Sequence, residues 1–184
     1  MNHEQSESEK KNLLNEIFSE INISKKALLA ISFLQKYKTP FKELFSILRQ
    51  FERSKDALQL VGNSLNLEDD IQKFMLNYFI ISKSDIQALP LKEHFIAKNV
   101  FVEDLAYEFK DDVLVVEGDY NLAFKFEHEV PDELKNEPHF NRDPMFGEFS
   151  MTIDKNKNIS IEDLSIGEEI DGQIFLGSFK LGRS

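Results

Sequence analysis

A chain of 184 residues makes one large domain or two small ones, and folding it can bury roughly 70% of the surface exposed when unfolded. An apolar share of 41%, a charged share of 30%, and only 7 Gly and 5 Pro exclude collagen-like, proline-rich and wholly disordered classes. With no Cys, there is no disulfide, iron–sulfur cluster, thiolate zinc site or cysteine nucleophile, which suits a reducing compartment. Residues 1–11 are polar and acidic, without a basic segment followed by an apolar one, so neither a signal nor a transit peptide is predicted and a cytoplasmic protein is expected. Apolar runs such as Tyr78-Phe79-Ile80-Ile81 and Val113-Leu114-Val115-Val116 are four residues long. A membrane span needs about 20, and no membrane partner is expected.

The first hundred residues carry helical spacing. Leu13, Leu14, Ile17, Phe18 and Ile21 form one stripe, then Ala27, Leu28, Ile31 and Leu34, then Phe41, Leu44, Phe45 and Leu48, then Ile71, Phe74, Met75, Tyr78 and Phe79. Ser24 suits the N-cap of the second helix, and Thr39-Pro40 gives the third a cap and a ring already held at helical φ. A short segment from Ser54 ends at Gly62, and Asn66 followed by Glu68, Asp69 and Asp70 opens the next helix with a cap and carboxylates at its positive dipole end.

Near residue 100 the period falls to two. Leu105, Tyr107 and Phe109 alternate with Ala106 and Glu108, and Leu122, Phe124, Phe126 and His128 alternate with polar or small residues. Asp111-Asp112 reads as a tight turn. Phe149, Met151 and Ile153 lead into Asp154-Lys155-Asn156-Lys157-Asn158, and Ile159 and Ile161 lead out, the pattern of a hairpin with a polar turn. A last strand is expected from about Ile174 to Leu181, with Pro131–Pro144 as the longest irregular segment. The predicted class is α+β: an N-terminal bundle of four to five helices, roughly residues 4–98, packed against a C-terminal antiparallel, meander-like sheet of five to six strands. The corresponding regions are a helical one at 1–99 and an acidic β region at 100–184, compatible with one continuous domain. Seventeen of the 21 aromatic residues are Phe, which lacks a polar handle and so points to core packing rather than ligand stacking.

Charge is distributed unevenly. Residues 1–100 hold 14 Lys and Arg against 13 Asp and Glu, while residues 101–184 hold 8 against 20, a net of −12. Residues 21–60 are locally basic at +5. A strongly acidic half repels phosphate and membrane headgroups and speeds encounter with a basic protein.

Catalytic and metal motifs are weak. Glu127-His128-Glu129 with His139 and Asp143 is the densest group of ligand-type residues, but strand alternation points His128 away from Glu127 and Glu129. Asp154-x-Asn156-x-Asn158 echoes a calcium loop, yet the sixth position is Ile159 rather than Gly and the twelfth is Ser165 rather than Glu. No phosphate-binding glycine loop or nucleophile elbow is present, and Gly167, Gly172, Gly177 and Gly182 read as turns and strand irregularities.

No cofactor, metal or catalytic residue is therefore predicted, and the chain is expected not to be an enzyme. The expected function is an acidic intracellular protein-binding module, an inhibitor such as an immunity protein or antitoxin that occupies a basic partner. The contacts would be Glu103, Asp104, Asp111, Asp112, Glu117 and Asp119, with Glu127, Glu129, Asp132 and Glu133 as a second group. One alternative is a regulator that binds nucleic acid through Lys25, Lys26, Lys36, Lys38 and Lys42, although few Arg occur there and the helix after Thr39 is apolar. A second alternative is an enzyme with an unrecognised carboxylate–histidine site.

Overall fold

A computed structural model describes residues 3–65, 67–82, 95–126, 145–170 and 173–180. Asn66, His94, the 127–144 segment with its acidic and histidine candidates, Gly172, Leu181 and Gly182 lie outside the described residues. The class is α+β. Five helices, α1 (His3–Ser19), α2 (Ile23–Lys36), α3 (Phe41–Arg49), α4 (Lys55–Asn63) and α5 (Glu68–Ile81), precede β1 (Phe95–Lys110), β2 (Val113–Phe126), β3 (Met145–Ile153), β4 (Ile159–Ile170) and β5 (Gln173–Lys180). The strands form one sheet in the order β1-β2-β3-β4-β5, a meander in which each strand pairs with its sequence neighbour. β4 and β5 pair antiparallel from Asp163↔Lys180 to Ile170↔Gln173. Within the described residues, no helix is long and apolar enough to cross a membrane.

The chain forms two compact units. The first comprises residues 1–67, 106–115 and 153–158; the second comprises 68–105, 116–152 and 159–184. Strands β1 and β2 contribute to both, and α5 groups with the second unit rather than with the other helices.

In the first unit the helix borders differ in detail from the sequence reading. Asn22, not Ser24, caps α2: its side chain accepts the Lys25 N–H at 3.0 Å, which puts Ser24 inside the first turn. Pro40 is the cap residue of α3, with no side-chain cap bond, while the Thr39 hydroxyl donates to the Tyr37 carbonyl. Ser54 caps α4 through the Ala57 N–H. Gly62 does not terminate that helix, which continues to Asn63. A Cβ at Gly62 would stand 2.6 Å from the ring of Tyr107, so the glycine is there to let an aromatic ring lie against the helix. Ile21 falls beyond α1 and is 96% exposed, and Leu28 is 65% exposed, because the buried face of α2 runs through Ala27, Ala30 and Phe33. Phe33 and Phe51 are fully buried, each stabilising the unit by about 1.5–3 kcal/mol. Phe45 of α3 meets Phe109 of β1 edge to face, centroids 5.4 Å apart.

Two turns complete this unit. Asp111 and Asp112 both have positive φ, 46° and 66°, the conformation of a two-residue type I′ hairpin loop. In the β3–β4 turn, one carboxylate oxygen of Asp154 accepts the N–H groups of Asn156 and Asn158 while the other accepts the Asn158 amide. These hydrogen bonds, the Asn158 side chain first, hold the Asp154 carboxyl below its ordinary range. The aspartate thus organises a turn, as its neighbours Asn156 and Asn158 require.

In the second unit β1 starts at Phe95, ahead of the residue 98 limit read from the sequence for the helices. Its buried residues are Phe95 and Ala97, then Val100 and Val102, then Leu105 and Tyr107. Alternation therefore slips by one residue at Lys98-Asn99 and again at Glu103-Asp104, where Asp104 has φ 54°. The second slip is a β-bulge. Opposite it, a Cβ on Gly118 would meet the Glu103 carbonyl at 3.0 Å and Leu105 at 2.8 Å, so this position needs a residue without a side chain. The core of the unit stacks Phe95 on Phe124, centroids 5.0 Å apart, and sets Phe79 of α5 against Tyr120 at 5.6 Å. These contacts agree with the reading of Phe as packing, with Phe101, at 56% exposed, the largest exception among the described residues.

Candidate functional site

The acidic candidates divide between the two units. Asp111 and Asp112 belong to the first, at the exposed β1–β2 loop, and Asp112 is engaged by the Arg49 guanidinium, which also reaches Glu52. Glu103, Asp104, Glu117 and Asp119 belong to the second unit and are all exposed. Glu127, Glu129, Asp132 and Glu133 lie outside the described residues.

Strand geometry brings part of the second unit's exposed carboxylates together. Glu103 on β1 accepts a hydrogen bond from the Asn121 amide on β2 at 2.9 Å. Both residues, with Asp119, Tyr120, Phe146, Gly147 and Glu148, line an open depression of about 360 Å³. Glu148 was not selected from the sequence; the pairing of β3 with β2 is what brings it beside Asp119, and no local signal in the chain reports that pairing. Beneath the depression the Tyr120 hydroxyl donates to the Ser165 carbonyl at 2.8 Å, and burial pushes the phenol up, so it remains protonated at neutral pH. Ser165 is itself buried, and its hydroxyl accepts the Glu148 N–H at 2.8 Å and donates to the Glu148 carbonyl at 3.3 Å, fixing β3 against β4. The depression is therefore lined by three carboxylates and by a tyrosine held through its hydroxyl.

Electrostatically the two units differ. By sequence the second unit holds 21 Asp and Glu against 9 Lys and Arg, a net of −12, and the first holds 12 against 13, a net of +1. In the first unit several carboxylates are matched by cations: Lys10 with Glu43, Lys25 with Glu20, Lys36 with Glu9, and both Lys55 and Lys110 with Glu108. Lys55 and then Lys110 hold the Glu108 carboxyl below its ordinary range. In the second unit Glu103, Asp104, Glu117, Asp119 and Glu148 have no cation within ion-pair distance among the described residues.

The basic candidates belong to the first unit and are partly engaged. Lys25 and Lys36 form the ion pairs just given, and Lys26 donates to Gln50 at 3.4 Å. Lys38 and Lys42 are exposed. Lys36 also lies over the Tyr37 ring, 5.2 Å from its centroid.

Among the described residues no group of three His, Cys, Asp or Glu side chains is arranged to hold a metal ion. The chain matches no family model, no curated protein and no solved structure.

Proposed function

We propose that the chain is an acidic protein-binding module that occupies a basic partner, in the manner of an inhibitor such as an immunity protein or antitoxin. One observation carries the reading: the second unit, net −12 by sequence, exposes Glu103, Asp104, Glu117, Asp119 and Glu148, and none of them has a cation within ion-pair distance among the described residues. Uncompensated carboxylates on a folded surface destabilise one another, and a cationic partner relieves that repulsion while being steered in at a raised rate. Strands cross-linked by the Tyr120–Ser165 and Glu148–Ser165 hydrogen bonds would lower the entropy lost on docking. A chain without cysteine suits a cytoplasmic setting for such a partner.

Affinity capture from the native host's lysate, with the full chain as bait, tests this. A protein of high pI should be retained at low salt and released as salt rises, and changing Glu103→Gln, Glu117→Gln and Asp119→Asn together should slow its association several-fold with little effect on dissociation. Retention of an acidic partner, or association independent of ionic strength, would overturn the proposal.

A further inference from the structure

Among the described residues strand β1 is an edge of the sheet, with β2 as its one strand neighbour, and its sixteen residues include the apolar run Val100-Phe101-Val102. A long apolar edge can offer its backbone N–H and C=O groups to another strand, and the nearest supply of a matching strand is β1 of another copy of the chain. In the second unit the Val102 N–H donates to Gln72 Oε1 of α5 at 3.1 Å, and the Val100 N–H donates to Asn99 Oδ1 at 3.0 Å. In the first unit the Tyr107 N–H donates to Gln59 Oε1 of α4 at 3.3 Å. Val100, Val102 and Tyr107 all bury their side chains, and the bulge at Glu103-Asp104 restores that common orientation between Val102 and Tyr107. Side-chain amides from two helices thus take backbone donors that would otherwise bond to an added strand.

We infer that Gln72 and Gln59 are edge plugs, which keep β1 from pairing with β1 of a second copy. A glutamine suits this task because its carbonyl oxygen copies the acceptor of a neighbouring strand, while its side chain is tethered to a helix and presents no further ladder. Gln72 guards the more exposed place, since it occupies the donor of Val102 at the end of the apolar run and Phe101 beside it is largely exposed. Lys98, Glu103, Asp104 and Lys110 add charge along the same strand, and its two slips in alternation interrupt a flat edge.

The test uses Gln72→Met and Gln59→Met in the full chain, since methionine keeps length and helix propensity but has no strong acceptor. Amide hydrogen exchange by NMR should show Val102 exchanging at least tenfold faster in Gln72→Met with Tyr107 unchanged, and the reverse in Gln59→Met. Sedimentation of the double variant should show concentration-dependent self-association that the unaltered chain lacks over the same range, and adding Phe101→Lys should reverse it. Unchanged exchange at Val102 in Gln72→Met overturns the inference, and this readout stands even if the double variant fails to fold. A folded double variant that sediments like the unaltered chain, or one whose association survives Phe101→Lys, also overturns it.

Discussion

The Tyr120 hydroxyl and the Ser165 carbonyl, 45 positions apart in the chain, meet in a hydrogen bond of 2.8 Å inside the second unit. Tyr120 is fully buried, so the bond satisfies both a phenol and a strand carbonyl that water cannot reach. Tyr120→Phe keeps the ring against Phe79 and removes only the donor. It should lower stability by about 1–2 kcal/mol in denaturant titration, with an unchanged m value. A neutral result would mean that the carbonyl finds another donor.

Gly62 and Tyr107 form a second such pair, in the first unit. Gly62→Ala normally gains helix propensity, but here the added methyl stands 2.6 Å from the ring. Overpacking should win, with a loss of about 1–3 kcal/mol, and Tyr107→Leu in the same chain should recover part of it. Thermal unfolding of the two single variants and the double variant measures the coupling.

The Asp111-Asp112 loop holds two non-glycine residues at positive φ. Asp112→Gly removes the steric cost of the left-handed conformation and also the Asp112–Arg49 pair, which is largely exposed and so worth little. The net effect should be a stabilisation of about 0.5 kcal/mol, read from the urea midpoint. Destabilisation would show that the ion pair outweighs the backbone term.

Asp154 gives a pH signature. Its folded pKa lies below the unfolded value, near 3.9 for an aspartate, so its contribution is fully present above that unfolded value and is lost as pH falls through the folded one. Asp154→Ala should therefore lower the unfolding midpoint at pH 7, and the gap to the unaltered chain should close as the solution is acidified below pH 4. A gap that stays constant down to pH 2 would show that ionisation of Asp154 is irrelevant to the turn.

Local rules were enough where the chemistry is local. The turn at Asp154–Asn158 and the helix start at Ser54 follow from side chains that bond to backbone a few positions away, the two-residue loop at Asp111-Asp112 from the tolerance of aspartate for positive φ, and the helical and strand periods report faces that any core must bury. The cap of α2 was legible only to within two residues, because Asn22 and Ser24 are both capable acceptors and packing chooses between them. The start of β1 was hidden for a different reason: its alternation slips at Lys98-Asn99 and Glu103-Asp104, so no single period of two runs through it.

By itself, then, the sequence determined the α+β class, the order of elements, the hairpin turns and the charge imbalance, since each depends on residue type and short-range spacing. Tertiary structure alone decided that Gly62 faces a tyrosine ring, that α5 groups with the strands, that Glu148 stands with Glu103 and Asp119, and that glutamines on two helices take donors of β1. It also decided that Lys25 and Lys36 pair with Glu20 and Glu9, while Glu103, Asp104, Glu117, Asp119 and Glu148 have no cation within ion-pair distance among the described residues. These are contacts between residues far apart in the chain, or choices among several local partners of equal chemistry, and their energies appear only once strand register and helix packing have brought the groups within a few ångströms.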